Sequence, residues 1–295
     1  MTQRLHGAIA ASITPLKDGG RTLDTMAFED LTSFLAAGGV DGVLACGTTG
    51  EGVLLSVAER RTITELFLDS RPAGFQIAVH AGAQTTADTV AIAAHAKQVG
   101  ADAVAVIAPP YFPLDHEELT RHLVAAANAC DPVAFYVYEF AGRSGYAIPP
   151  AVVLRVKDAA TNVVGMKVSD QPFDAVSPYL ELGLDVFVGQ EPLAIEGMEA
   201  GAVGSVSGLA AAFPEIVADL VHDHDPGSHD HDPGSHDAVV LLRARLAGIP
   251  FHAALKEVLV ARDVLRSADV RAPLRGLTDA ERDTVVDLAR ELGAV

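Results

Sequence analysis

Eight short apolar runs constrain this chain more than any other feature. They lie at residues 7–13, 42–46, 76–81, 103–107, 133–138, 163–167, 185–188 and 204–207. They are rich in Val, Ile and Ala and do not alternate with polar residues. That is the signature of strands buried on both faces of a parallel sheet, since a strand with one wet face alternates with period two. Helical patterns fill the intervals, at 23–37, 56–70, 86–99, 115–129, 149–158, 171–182, 192–200 and 214–221. Several open with helix-start chemistry. Ser56 before "VAER" sets up a capping box, and Pro opens "IPPAVV" and "FPEIV". Eight βα units in succession predict an α/β fold of the closed (β/α)8 TIM-barrel type. The main competitor, an open doubly wound sheet, usually has fewer strands and often a G-x-G-x-x-G turn after the first, which is missing here.

Three more helical patterns, at 237–246, 251–267 and 279–292, predict a C-terminal helical appendage. The expected division is a barrel over 1–221, a His/Asp-rich repeat loop over 222–237 and C-terminal helices over 238–295. The repeat is "HDHDPGSHDHDPGSHD", a seven-residue unit repeated once and begun again. Its Pro and Gly argue against regular structure, and little in it is fit for burial. Imidazoles beside carboxylates raise a metal site as one reading. A surface loop grown by tandem duplication is the favoured one, because a ligand set needs fixed geometry.

Apolar residues make up 49% of the 295, enough for a large core. The formal net charge of -18 argues against nucleic-acid or anionic-membrane partners. An acidic small-molecule substrate stays open, because a local Arg or Lys can dominate inside a closed site. No run approaches the roughly 18 uncharged apolar residues of a membrane span. The opening "MTQRLHGAIA" lacks the apolar stretch of a signal peptide. Two cysteines, Cys46 and Cys130, are too few for a disulfide framework, so a cytoplasmic location is expected.

In a (β/α)8 barrel, chemistry sits at the C-terminal ends of the strands. The residues expected there are Ser12 and Thr14, "CGTTGE" at 46–51, His80, "PPYF" at 109–112, Tyr138, Lys167, "GQE" at 189–191 and 205–207. Lys167 ends the apolar run of "NVVGMKVSDQ". At the mouth of a barrel, desolvation disfavours an ammonium and leaves a nucleophilic amine, which attacks a ketone to give a Schiff base. A structural lysine paired to a barrel carboxylate is the other reading. In "GTTGE", Thr48 and Thr49 offer hydroxyls in a glycine-flanked turn able to present backbone N–H groups to an anion, or simply to cap a helix. Tyr138, one strand from Lys167, is either a proton shuttle or a packed barrel aromatic. Arg143 is either a carboxylate clamp or a surface ion pair.

Together these residues resemble a known family, the dihydrodipicolinate synthases and N-acetylneuraminate lyases, which are class I Schiff-base aldolases. The likeness runs from "GAIAASITPLKDGG" to "VRAPLRGLTDAE". "GVDGVLACGTTGEGVLLSVAER" is similar to the family's G-T-T-G-E segment, "FYVYEFAGRSG" to its Y-N-x-P-x-R-[ST]-G segment and "VVGMKVSD" to its G-x-K-x-[ST] segment. The resemblance implies a pyruvate-dependent carbon–carbon lyase with Lys167 as Schiff-base lysine and Tyr138 as catalytic tyrosine. Thr48 and Thr49 would hold the pyruvate carboxylate, with Thr48 also passing protons to Tyr138. Arg143 would bind carboxylate, Gly189 and the backbone of Val206 would line the site, and Glu191 would contact the distal part of the substrate. It further implies a 2-oxo acid and an aldehyde as small-molecule partners, no metal or organic cofactor, and a homotetramer or homodimer.

The chain departs from the family pattern at three places. Where the family carries a second tyrosine that reaches a neighbouring subunit's proton relay, "APPYFPL" is read as placing Phe112. The usual Asn after the catalytic tyrosine is Glu139, and the usual Pro is Ala141. A broken relay points to reversible aldol cleavage of a 2-keto-3-deoxy acid. The alternatives are 4-hydroxy-tetrahydrodipicolinate synthesis from pyruvate and aspartate semialdehyde, dehydration of a 2-keto-3-deoxy sugar acid, and a catalytically silent ligand-binding barrel.

Overall fold

All eight apolar runs form strands in the computed structural model, which describes residues 4–224 and 233–295. They are β1 (Gly7–Ala11), β2 (Gly42–Ala45), β3 (Gln76–His80), β4 (Ala103–Ile107), β5 (Ala134–Glu139), β6 (Val163–Val168), β7 (Asp185–Val188) and β8 (Gly204–Ser207). Each pairs in parallel with the next, and β8 pairs with β1, so the sheet closes into a barrel. Closure explains the missing alternation. One set of residues fills the barrel interior, among them Ile9, Leu44, Ala78, Ala105, Tyr136, Phe187 and Val206. The other set packs under the helices, as with Val104, Val106, Phe135 and Val137.

The barrel helices are α1 (Ala27–Ala37), α2 (Val57–Asp69), α3 (Thr86–Val99), α4 (His116–Cys130), α5 (Pro150–Ala159), α6 (Ser177–Leu180), α7 (Ala194–Glu199) and α8 (Pro214–His222). The capping box at Ser56 forms, with the Ser56 hydroxyl accepting from Glu59 N–H and the Glu59 carboxylate accepting from Ser56 N–H. The interval after β6 departs from expectation. It holds a 3-10 turn, Phe173–Ala175, and the single turn α6 in place of one long helix. Pro172 and Pro178 in "QPFDAVSPYLELG" each remove a backbone donor, which breaks a continuous helix into short pieces.

Three C-terminal helices follow: α9 (Pro233–Arg245), α10 (Phe251–Ala261) and α11 (Asp279–Glu291). The start of α9 corrects the reading of the repeat. Its last five residues, 233–237, are helical, because proline at the first helical position surrenders only an N–H that has no intrahelical partner there. Residues 225–232, the rest of the repeat apart from 222–224, lie outside the described residues. No helix among the described residues is long and apolar enough to cross a membrane.

Candidate active site

The turn after β2 is built by backbone geometry that its sequence permits. Cys46 and Glu51 both sit at positive φ (57° and 58°), which folds "CGTTGE" tightly over the barrel mouth. Gly52 is required, since a Cβ there would lie 1.8 Å from the Cys46 carbonyl oxygen. Three elements brace the turn. His80 donates from Nδ1 to the Cys46 carbonyl at 3.1 Å, and Thr14 donates to the Gly50 carbonyl at 2.7 Å. His252, from α10, donates from Nε2 to the Thr48 carbonyl at 2.9 Å. Burial, and then the Arg60 charge, pushes the His80 imidazole down to about 3, so it braces the turn as a neutral ring.

Lys167 is the fifth residue of β6 and is 7% exposed. Its register partner on β5 is Tyr138, and its Nζ lies 4.3 Å from the centre of the Tyr138 ring. Tyr138 Oη in turn lies 3.2 Å from Thr48 Oγ1. Gly189 clears the space beside the lysine. A Cβ there would lie 2.0 Å from Ser169 Oγ and 3.1 Å from Lys167 Cε.

These residues open onto one cavity of about 320 Å³. Its lining includes Thr48, Thr49, Tyr138, Arg143, Lys167, Gly189 and Val206, so seven residues singled out from the sequence meet in one place. Among the described residues no carboxylate lines it. The lysine therefore faces an aromatic ring, hydroxyls and open space, with no acidic partner among the described residues.

Two expected residues are elsewhere. Glu191 is 0% exposed and lies behind the wall. It accepts from Ser207 Oγ at 2.6 Å, from Leu209 N–H at 3.1 Å and from Arg243 Nε at 2.7 Å. Glu191 is thus not among the residues that line the cavity, and its carboxylate is held by protein donors. Burial raises it, but the Arg243 charge and the Ser207 and Leu209 hydrogen bonds outweigh that and hold it below the usual carboxylate range. Phe112 is 71% exposed at the surface and does not line the cavity of its own chain. Its neighbour Tyr111 is 82% exposed, stands at φ 86° and packs edge-on against Phe112 with ring centres 4.8 Å apart. The phenol of this segment is that of Tyr111, one residue before Phe112.

The cavity also holds residues that strand-end reasoning did not reach. Arg243, Phe251 and His252 come from α9 and α10, which fold back over the mouth. Phe140 directly follows β5, while Gln190, from the expected "GQE" stretch, also lines the cavity and donates from Nε2 to the Ser169 carbonyl at 2.9 Å. One more group sits just behind the site. Glu139, the last residue of β5, is fully buried, accepts from Ile148 N–H at 2.7 Å through Oε2 and leaves Oε1 without a donor among the described residues. Burial, then the Asp170 carboxylate beside it, pushes its carboxyl up to about 8. Asp170 accepts from Ala141 N–H, which begins the one-turn helix Ala141–Ser144 that carries Arg143.

A closed barrel thus carries a nearly buried lysine, a tyrosine and a hydroxyl-bearing turn together at its mouth. The chain matches the model of the Dihydrodipicolinate synthetase family over residues 4–292 and belongs to that family, whose members are class I pyruvate-dependent lyases. An uncharacterised DapA-like lyase of Halobacterium salinarum is 33% identical, covering 97% of this chain and 93% of that protein. A 4-hydroxy-tetrahydrodipicolinate synthase of Syntrophus aciditrophicus is 29% identical, covering 98% and 99%. The N-acetylneuraminate lyase of Proteus mirabilis superposes with a TM-score of 0.90 at 26% identity, covering 99% of this chain and 100% of that one. YagE, an E. coli K12 prophage protein solved with pyruvate, superposes with a TM-score of 0.92; at 22% identity, over 98% and 99% of the two chains, that likeness speaks to fold alone.

Proposed function

We propose that Lys167 forms a Schiff base with a 2-oxo acid and that the enzyme reversibly cleaves the C3–C4 bond of a 2-keto-3-deoxy acid. The observation that carries this reading is Lys167 itself, a nearly buried amine over the Tyr138 ring in a cavity that no carboxylate among the described residues lines. In cleavage, Nζ adds to C2 and the carbonyl oxygen leaves as water, giving a protonated imine. The C4 hydroxyl then loses its proton, the C3–C4 electron pair moves toward the imine nitrogen, and the aldehyde departs. The enamine left behind takes a proton at C3, and water releases pyruvate and the free lysine.

Tyr138 is the residue proposed to move these protons, with Thr48 3.2 Å away to exchange them. Thr48 and Thr49 are proposed to hold the carboxylate next to the imine, Gly189 and Val206 to line that half of the ligand, and Arg143 to meet its polar groups. No step in this scheme calls for a metal or an organic cofactor. The exposed Tyr111–Phe112 pair supports a homodimer or homotetramer in which a second copy covers it. The cytoplasmic assignment rests on the two cysteines, both free and buried.

A second reading, condensation of pyruvate with aspartate semialdehyde, gains from Tyr111. A tyrosine at φ 86° costs about 1–3 kcal/mol and persists where a function or an interface fixes it. In an oligomer its phenol is a candidate for the second relay tyrosine. A panel of 2-keto-3-deoxy acids, and of aldehydes supplied with pyruvate, tests the two readings. Pyruvate release from a deoxy acid faster than pyruvate uptake with aspartate semialdehyde supports the first, and the reverse order supports the second.

A further inference from the structure

One backbone donor in the turn after β2 is unused. Thr49 lines the cavity beside Lys167 and is 7% exposed, and its backbone N–H has no acceptor among the described residues. An amide left without a partner at a nearly buried residue costs free energy, so such a group is normally met by water or by a ligand. Its direction is set from the other side of the same peptide. In a trans peptide the N–H points away from the C=O, so whatever holds the Thr48 carbonyl aims the Thr49 N–H.

Two donors hold that carbonyl. Glu51 N–H reaches it at 3.1 Å from within the turn, and His252 Nε2 reaches it at 2.9 Å from α10. A carbonyl only accepts, so His252 carries a proton on Nε2. The Glu51 bond already satisfies the carbonyl. The imidazole adds an anchor from outside the turn, and a second donor on the C=O polarises the amide and strengthens its N–H. Four residues on, along the same face of α10, Lys256 grips Glu51. The helix is therefore fastened to the turn independently of His252.

We propose that His252 is a positioning residue for the 2-oxo acid, holding the Thr48–Thr49 peptide so that the Thr49 N–H meets the carboxylate beside the imine. This rests on the reading that Lys167 forms that imine. His252 acts through the turn rather than on the reacting atoms, so its effect falls on binding of the pyruvoyl half.

The test is borohydride trapping as a function of pyruvate concentration, which needs no aldehyde, on the wild type, His252→Phe and His252→Gln. Phenylalanine keeps a ring beside Phe251 and removes the donor. Glutamine places an amide nitrogen about where Nε2 stands. His252→Phe is expected to raise the pyruvate concentration for half-maximal trapping by roughly three- to tenfold, up to the worth of one hydrogen bond to a charged group, with trapping at saturation little changed. His252→Gln is expected to recover most of that loss. Methyl pyruvate, which keeps the ketone and loses the charge, is expected to be trapped alike by the wild type and His252→Phe at every concentration. His252→Ala is read in the same way if His252→Phe does not fold. An unmoved half-saturation in the donor-free variant, an equal loss with methyl pyruvate, or a His252→Gln as poor as the donor-free variant overturns the positioning role alone. No trapping of the wild type with either ketone overturns the Schiff-base reading, and the positioning role with it.

Discussion

Lys256 on α10 and Glu51 in the turn after β2 form a fully buried ion pair, with Nζ 2.5 Å from Oε1. Glu51 Oε2 accepts from Arg271 N–H, and Lys256 also donates to the Asp269 carbonyl at 2.7 Å. The pair therefore ties the C-terminal helices to the turn that carries Thr48 and Thr49. Losing one partner leaves the other charge buried, a cost of about 3–5 kcal/mol, whereas losing both together is far milder. Lys256→Met is expected to lower the unfolding free energy by that amount, and Lys256→Met/Glu51→Gln to recover much of it. Denaturant melts of the three proteins check this. Equal stability of the single and double variants would show the pair uncoupled.

Thr48 Oγ1 and Tyr138 Oη lie 3.2 Å apart, the contact on which the proposed proton path rests. Tyr138→Phe is expected to keep imine formation and slow turnover by roughly 10²–10⁴-fold, the usual span for a lost acid–base group. Single-turnover trapping measured beside steady-state rates separates the two effects. Unchanged turnover removes Tyr138 from the proton path.

Glu139 gives stability a pH dependence of predictable sign. Its carboxyl is raised from the ordinary 4.5 to about 8, so between those values the folded chain holds a proton that the unfolded chain has released. Stability from this group is fully present below pH 4.5 and falls as pH rises toward 8, by up to about 1.4 kcal/mol per pH unit. Glu139→Gln keeps a donor toward Asp170 and does not titrate. Melts of both proteins from pH 5 to 9 are expected to show the extra downward slope in the wild type only. Parallel curves contradict it.

Tyr111 and Phe112 invite a paired test. If an oligomer brings one of them to a neighbouring cavity, the residue with the hydroxyl and the strained backbone is the one expected to matter. Tyr111→Phe is expected to slow condensation by about 10²-fold, the lower end for a lost proton donor, while Phe112→Tyr changes little. A rate gain in Phe112→Tyr with no loss in Tyr111→Phe would restore Phe112 as the relay position.

The barrel was legible because burial on both strand faces leaves a pattern along the chain, and because strand-end position alone gathers Thr48, Tyr138 and Lys167. Residues that reach the cavity from other directions leave no such pattern. Arg243 and His252 arrive through helices that fold back over the mouth, and nothing local in "LLRAR" or "PFHAAL" signals that return. Glu191 was misplaced for a related reason. It sits at a strand end as expected, but its carboxylate is captured by an arginine 52 positions away. The interval 171–182 is only partly helical because Pro172 and Pro178 interrupt its hydrogen-bond ladder.

The most direct measurement is reductive trapping. Borohydride added with pyruvate is expected to inactivate the enzyme, add one reduced pyruvoyl group per chain and place it on the peptide holding Lys167, with Lys167→Ala abolishing both label and activity. A label on any other residue, or an active enzyme that borohydride and pyruvate leave unlabelled, would contradict the account at its centre.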